Sequence, residues 1–166
     1  MDALELFARR YSCRAFKADP VASDSLMRLV DAARLAPSAR AEQPWEFVVV
    51  TDPRLMKELG RLVDTGRFLS QAAACVVVLC RRAADYALED GAAATENILL
   101  CATALGLGAC WIAGARKAYA PAVERALKAP AALTLISLVA VGVPKAPAAP
   151  ERARRPLEEV LHWQGF

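Results

Sequence analysis

The sequence has little of what several common kinds of functional site require. Its 166 residues include one histidine, His162, and although five cysteines are present, no two form a C-x-x-C pair. A single histidine excludes metal sites that need two histidines and argues against a nucleophile–histidine triad. Four of the cysteines lie in apolar stretches, where cysteine is usually a small buried side chain, so no disulfide framework is expected. If the chain is an enzyme, we expect a cofactor to supply most of its chemistry.

The chain also has a low net charge and no long apolar runs. Its formal net charge is +3, and its basic residues are spread out apart from one C-terminal cluster. The longest apolar runs, at residues 74–80 and 133–143, are shorter than the ~20 residues of a membrane-spanning helix. The N-terminal sequence MDALELFARRYS lacks the basic and apolar regions of a signal peptide. We therefore expect a cytoplasmic protein without a nucleic-acid or membrane partner.

Apolar periodicity and helix-breaking residues predict alternating helices and strands. Asp2 is a predicted helix cap that Glu5 would complete as a capping box, and Asp52 is a predicted cap before a proline. The alanine-rich helix over 89–105 is apolar almost all round, which is typical of a central helix. The predicted helices are 2–10, 23–36 (capped by Ser23 or Asp24), 52–64, 89–105 and 121–128, the predicted strands are 46–51, 74–80 and 133–143, and extended segments are predicted at 11–16 and 109–114.

The chain divides into a core and a C-terminal arm. Residues 1–143 contain the predicted sheet and its helices, whereas residues 144–166 begin with a linker that contains Pro147 and Pro150. Such a linker is extended and stiff. The sequence LEEVLHW that follows, predicted as a terminal helix or strand, favours an arm that reaches something else. A strap over the same subunit is the alternative.

Two basic clusters are candidate anion sites. In RRYSCRAF, Arg10, Ser12 and Arg14 alternate, and alternate side chains of an extended segment share a face. Two guanidinium groups beside a hydroxyl suit a phosphate group. The C-terminal sequence ERARRP supplies Arg152 and Arg154, which would form one phosphate site with the first cluster if the two converge. Either cluster could instead be a solvated basic surface.

Two further segments are candidates for contact with a flat ligand. Pro37, Ser38 and Ala39 are small, so the backbone of this loop can approach a planar ring closely. The sequence CWIAG, residues 110–114, ends in glycine and would offer backbone N–H donors to ring atoms. The alternatives are a plain helix-to-strand connection with Trp45 in the core, and a buried strand.

Together these segments resemble the FMN-dependent nitroreductase family over essentially the whole chain. RRYSCRAF is similar to the family's Arg-Arg-Ser-x-Arg-x-Phe signature, and APSARAEQPWEFVVV is similar to its Ala-Pro-Ser…Gln-Pro-Trp-x-Phe loop and strand. EDGAAATENILLCATALGLGACWIAG resembles its central helix and flavin-contacting strand. VAVGVPKAP and ERARRPLEEV resemble its closing segment. Each motif is moderately specific, and four in the right order and spacing are strong.

The resemblance implies a fold, an assembly and an activity. The fold is α+β with three layers, in which helices flank a central, mostly antiparallel sheet. The assembly is an obligate homodimer that binds FMN at the subunit interface and exchanges the C-terminal arm between subunits. The activity is electron transfer from NAD(P)H through FMN to a nitroaromatic, quinone or enone acceptor by a ping-pong mechanism. No catalytic side chain and no metal are expected.

The resemblance also implies which residues hold FMN. Arg10 and Ser12 would bind the phosphate and ribityl chain, and Arg152 and Arg154 would complete the phosphate site. Arg14 would lie near the N1–C2 carbonyl edge of the ring.

The remaining implied contacts are with the flavin ring. Pro37, Ser38 and Ala39 would pack on the ring from the neighbouring subunit. Four residues would pass N5 and O4 mainly through their backbone: Trp111, Ile112, Ala113 and Gly114.

The sequence departs from the family pattern at several places. Ala41 stands where the family often has Asn, and Ala113 stands where an acidic residue is often found. The Asn/Lys pair that some members carry is not recognisable at 66–69, and the segment 81–88 is short where longer members insert a substrate lid. We therefore expect an open pocket, while the physiological substrate and the choice between NADH and NADPH stay open.

Three functions are compatible with these features. The first is the NAD(P)H-dependent oxidoreductase described above. The second is a non-catalytic protein that binds FMN to store, sense or buffer it, which the lost Asn and short lid leave open. The third is flavin-consuming or dehalogenating chemistry on the same fold. Reduction of bound flavin by NAD(P)H, with and without an acceptor, separates the first two.

Overall fold

Helices and strands alternate along the chain. The computed structural model describes residues 2–146 and 153–166. Each helix and strand predicted within residues 1–143 is present, with bounds that differ by a few residues. The elements of the described residues are α1 (Ala3–Arg9), α2 (Ser23–Arg34), β1 (Trp45–Val50), α3 (Pro53–Leu62), β2 (Ala74–Arg81), α4 (Ala87–Ala104), β3 (Gly108–Ala113), α5 (Ala120–Ala126) and β4 (Leu133–Gly142).

The four strands form one sheet with helices on both faces. Their order is β1-β2-β4-β3, and each neighbouring pair is antiparallel. Val76 and Val78 of β2 pack in a cluster with α2 and α4, whereas Val77 and Leu79 pack on the other face with α3 and α5. Because β2 is buried on both faces, its sequence is a continuous apolar run. The predicted three-layer α+β arrangement is confirmed.

Two helix ends follow the local signals in the sequence. The carboxylate of Asp52 accepts the N–H of Leu55 at 2.8 Å, so the predicted cap of α3 is confirmed. Gly106 follows α4 with a φ of +73°, a left-handed conformation that glycine adopts without strain.

Two other helix starts differ from the prediction. Asp2 is the N-cap residue of α1, but its side chain makes no capping hydrogen bond. Glu5 instead pairs with the last residue of the helix, so the predicted capping box is wrong. Ala22, not Ser23 or Asp24, is the N-cap residue of α2, and it has no side-chain oxygen to offer. Packing of the apolar face of α2 therefore matters more than its cap.

The predicted extended segment at 11–16 lies against the outer edge of β3. Ser12 forms a parallel bridge with Ala109, and the N–H of Cys13 donates to the carbonyl oxygen of Ala109 at 2.9 Å. Gly108 permits this approach, because a Cβ at that position would lie 2.6 Å from the Sγ of Cys13. The basic N-terminal cluster is thereby held at the edge of the sheet.

Helix α4 packs closely on β4. A Cβ on Gly91 would lie 2.8 Å from two side-chain carbons of Ile136, so only glycine lets the helix come this near. One turn later, the buried hydroxyl oxygens of Thr95 and Ser137 are 2.7 Å apart. Thr95 donates to the carbonyl oxygen of Gly91 at 2.6 Å, which leaves Ser137 as the donor between the two hydroxyls. The predicted central position of this helix is confirmed.

The C-terminal residues 153–166 are largely irregular. Their one regular feature is a 3-10 turn at Leu157–Glu159, so the predicted terminal helix or strand is wrong for the described part of the arm. Trp163 is 81% exposed. Pro147 and Pro150 of the predicted linker lie outside the described residues.

The described residues also bear on disulfides, membrane-spanning helices and metal sites. All five cysteines are free thiols. Within residues 2–146 and 153–166 no helix is both long and apolar enough to cross a membrane. The same residues contain no group of three or more His, Cys, Asp or Glu side chains placed to hold a metal ion.

Gly108→Ala should destabilise the fold by about 1–3 kcal/mol, because the added methyl group would overlap Cys13 and displace the N-terminal segment from β3. Urea denaturation of both proteins measures the difference in free energy of unfolding. In a Cys13→Ala background the same substitution should cost less, because the sulfur nearest to the new Cβ is gone. Equal costs in the two backgrounds would contradict this contact.

Candidate functional site

The three residues of the N-terminal cluster gather around one thiol of β3. Burial raises the pKa of the Cys110 thiol, while the guanidinium of Arg14, a hydrogen bond with Ser12 and the guanidinium of Arg10 lower it. Ser12 pairs with Ala109, the residue before Cys110, so the segment that carries the three residues runs beside this thiol. Because the thiol stays neutral near pH 7, it is not a nucleophile, and it serves here only to locate the cluster.

Arg10 is held against α4 by a carboxylate. Its Nε lies 3.7 Å from Oε1 of Glu96, and the arginine side chain is only 19% exposed. Burial raises the pKa of Glu96, and the charge of Arg10 opposes that rise. An anionic ligand at Arg10 would compete with Glu96 for the guanidinium.

Arg14 is exposed and lies over an aromatic ring. Its guanidinium carbon is 5.9 Å from the centroid of the Phe68 ring, which is within the range of a cation–π contact. Its Nη1 also donates to the carbonyl oxygen of Ser12 at 3.4 Å. Phe68 belongs to the segment 66–69, where no Asn/Lys pair was recognisable. A ring, rather than a polar pair, therefore lies beside Arg14.

The loop with Pro37, Ser38 and Ala39 is fastened at two points. The N–H of Gln43 donates to the hydroxyl oxygen of Ser38 at 3.0 Å, which closes the loop on itself. The N–H of Ala39 donates to Oδ1 of Asp90 in α4, also at 3.0 Å. Pro37 is exposed and the next two residues are half-buried, so a ligand can reach the small side chains.

The outer edge of β3 offers two backbone N–H groups. In an antiparallel strand, alternate residues direct their N–H and C=O groups to opposite sides. The carbonyl of Ala109 faces the N-terminal segment, so Trp111 and Ala113 share that outer side. The carbonyl oxygen of Ala113 accepts the hydroxyl of Tyr119, whose pKa is raised by burial and by nearby Asp64.

The backbone N–H groups of the other two predicted residues, Ile112 and Gly114, point towards β4. The N–H of Gly114 donates to the carbonyl oxygen of Ile136 at 2.9 Å. Ile112 has the same orientation, and its side chain is buried in the core. The prediction that residues 110–114 end in free backbone donors is therefore wrong at Gly114, because pairing with β4 consumes that group.

The second basic cluster is described only in part. Arg152 lies outside the described residues. Arg154 is exposed, and its Nη1 donates to the carbonyl oxygen of Ala153 at 3.3 Å. Between residues 153–166 and the N-terminal cluster, the described part of the chain has no ion pair. Convergence of the two clusters stays a prediction.

An apolar groove of about 530 Å³ lies between α2 and the edge strand β1, away from these residues. None of the predicted site residues lines it. Its apolar lining consists of Leu26, Met27, Val30, Phe47 and Val49.

Three residues that contact the predicted site escaped the sequence analysis. Asp90 and Glu96 could have been noticed, since they are carboxylates within a helix that is otherwise small and apolar. Phe68 has no comparable signal, because its contact with Arg14 depends on how a distant loop folds.

Comparison with known proteins agrees with this fold. The model of the nitroreductase family matches residues 7–66 and 64–143. A protein of Archaeoglobus fulgidus, provisionally named NADH dehydrogenase/NAD(P)H nitroreductase, is 34% identical over 150 residues, covering 87% of this chain and 86% of its own.

Solved structures show the same similarity. An FMN-dependent nitroreductase from Clostridium difficile superposes with a TM-score of 0.90 at 26% identity, covering 98% of this chain and 99% of its own. A provisionally named nitroreductase of Desulfovibrio desulfuricans in complex with FMN gives a TM-score of 0.83 at 28% identity, covering 100% and 99%. With the family model matched over most of its length, the chain belongs to the nitroreductase family.

Proposed function

We propose that this protein is an FMN-dependent oxidoreductase that transfers electrons from NAD(P)H to a small organic acceptor. The observation that carries the proposal is the convergence of Arg10, Ser12 and Arg14 at the outer edge of β3. Two cations and a hydroxyl suit a ligand that has a phosphate group and an electron-rich ring edge. Family membership and the FMN complex of a similar structure support FMN as that ligand.

The anionic end of FMN fits the N-terminal cluster. Glu96 holds the Arg10 side chain in place, and a phosphate that binds there would take the guanidinium over from this carboxylate. Ser12 adds a hydroxyl beside it, and we assign the ribityl chain and phosphate to these two residues. Arg152 and Arg154, supplied by the arm, would complete the phosphate site.

The flavin ring fits the remaining surface of the site. Pro37, Ser38 and Ala39 present small side chains on a fastened loop, which suits close packing on a flat ring. We assign the backbone of Trp111, Ile112, Ala113 and Gly114 to the ring's N5 and O4 side. The outward N–H groups of Trp111 and Ala113 are the donors available there.

The chemistry would belong to the cofactor. Bound FMN would accept a hydride from NAD(P)H at N5 and pass the electrons to an acceptor. The protein's residues would orient the ring, exclude water from it and set its electrostatic surroundings. We propose a ping-pong order, acceptors of the nitroaromatic, quinone or enone type, and a cytoplasmic location, where NAD(P)H is available.

The test is a titration of the purified protein. It should be yellow, and anaerobic addition of NADH or NADPH should bleach the visible absorbance of the flavin. A quinone or nitroaromatic acceptor should restore the absorbance. Flavin that binds but is not bleached by either nicotinamide would favour the non-catalytic alternative. A protein that does not bind flavin would overturn both.

We also propose that the site is completed in a homodimer through the arm, residues 144–166, while residues 1–143 form the core. The arm leaves Trp163 and several other apolar side chains exposed in the single chain. A stable partner surface would cover them, since obligate dimers bury about 2,000 Å² or more. Multi-angle light scattering at micromolar concentration should give twice the 17.8 kDa chain mass. A monomer mass would contradict the exchanged arm.

Arg14→Ala should lower the two-electron reduction potential of bound FMN. A guanidinium at the N1–C2 edge favours the reduced, more negative ring, and a shift of about 30 mV corresponds to ~1.4 kcal/mol. Potentials measured against reference dyes test this.

Arg14→Lys is the matched control, because it keeps the charge but not the planar fork, and it should recover part of the potential. An unchanged potential with weaker FMN binding would place Arg14 at the phosphate or on the surface instead.

A further inference from the structure

Asp90 is a buried carboxylate that touches the loop assigned to the flavin ring. It is only 6% exposed, lies in the first turn of α4, and makes no ion pair within residues 2–146 and 153–166. Its Oδ1 accepts the N–H of Ala39 at 3.0 Å. A carboxylate is seldom buried without a purpose for its hydrogen-bonding oxygens. Here that bond joins the central helix to a surface loop.

The loop needs such a fastening because its backbone is strained. Arg40, Ala41 and Gln43 all have positive φ values, between 45° and 55°, in the left-handed region that side-chain-bearing residues avoid. Strained conformations persist only where surrounding contacts hold them.

The loop's ion pairs provide little of that restraint. The pairs of Arg40 with Glu42 at 3.9 Å and with Asp85 at 3.7 Å, and that of Glu42 with Arg81 at 3.6 Å, are long and exposed. The bond from Ser38 to Gln43 closes the loop but does not tie it to the core. The far end of the loop is held by β2, where Nη2 of Arg81 donates to the carbonyl oxygen of Glu42 at 3.2 Å and the N–H of Arg81 donates to that of Pro44 at 2.8 Å. Among the hydrogen bonds described for residues 37–39, the Asp90 bond is the one that connects them to a rigid element.

We propose that Asp90 is a positioning residue for flavin binding: through the N–H of Ala39 it holds the ring-contacting loop in its strained conformation. This inference rests on the proposed function, in which the loop packs on the flavin ring. Asp90 acts on the ring side of the ligand, whereas Glu96, six positions later on the same helix, contacts the phosphate-side Arg10.

This placement predicts a signature that separates a ring-side contact from a phosphate-side contact, and recovery by Asp90→Asn separates it from a general loss of stability. Asp90→Leu should weaken FMN and riboflavin by the same factor, about tenfold, because both ligands carry the ring. Asp90→Asn should stay within about threefold of the parent protein, since its amide oxygen can still accept the Ala39 N–H. Arg10→Ala should weaken FMN much more than riboflavin.

Dissociation constants for FMN and riboflavin, measured by flavin fluorescence quenching on the flavin-depleted protein, test these expectations. Glu89→Leu is the matched control, because Glu89 is the neighbouring carboxylate in the same turn and is exposed. It should leave both constants unchanged. If Asp90→Leu changes neither constant, or weakens FMN alone, the proposal is wrong.

A second variant removes the donor instead of the acceptor. Ala39→Pro deletes the N–H, and the extended conformation of Ser38, with φ −136° and ψ 150°, is compatible with a following proline. It should weaken both flavins, and Asp90→Leu should add no further loss in that background. Additive losses would overturn the proposal. If Asp90→Leu fails to fold, Ala39→Pro and Asp90→Asn still test it. Parent protein that binds neither flavin would defeat the proposed function itself.

Discussion

The close packing of α4 on β4 sets the positions of two of the segments that are assigned to the cofactor. Gly91 allows the helix to lie directly on Ile136, and the buried hydroxyl pair one turn later fixes its position along the strand. From this helix Asp90 reaches the Ala39 loop and Glu96 reaches Arg10. Two segments that are far apart in the sequence are therefore placed relative to each other by one rigid element. A shift of the helix would move both.

The outer edge of β3 is the second organising feature. Exposed strand edges promote unwanted pairing, and proteins usually cover them. Here the segment around Ser12 covers one end of the edge and brings the basic cluster with it. The outward groups of Trp111 and Ala113 lie beyond that cover. A ligand that accepts hydrogen bonds would both use these donors and protect the edge, so the same geometry serves stability and binding.

The titratable groups of the core explain why the chemistry is assigned to a cofactor. Burial raises the pKa values of Cys75 and Cys80 to about 12, so neither thiol is a nucleophile near neutral pH. The sole histidine, His162, lies in the C-terminal arm and stacks near Phe166. The residues around Cys110 are instead cations and a hydroxyl, which bind and polarise a ligand.

The sequence alone determined the elements that local patterns control. The continuous apolar run of β2 predicted a strand buried on both faces, Asp52 predicted the start of α3, and the family motifs predicted the layered fold. Tertiary structure decided everything that depends on distant pairing. The N–H of Gly114 is consumed because of the register between β3 and β4, which no local pattern specifies. Likewise, Asp90 meets Ala39 across 51 residues of chain, and only the folded path of the backbone brings these two groups within a hydrogen bond.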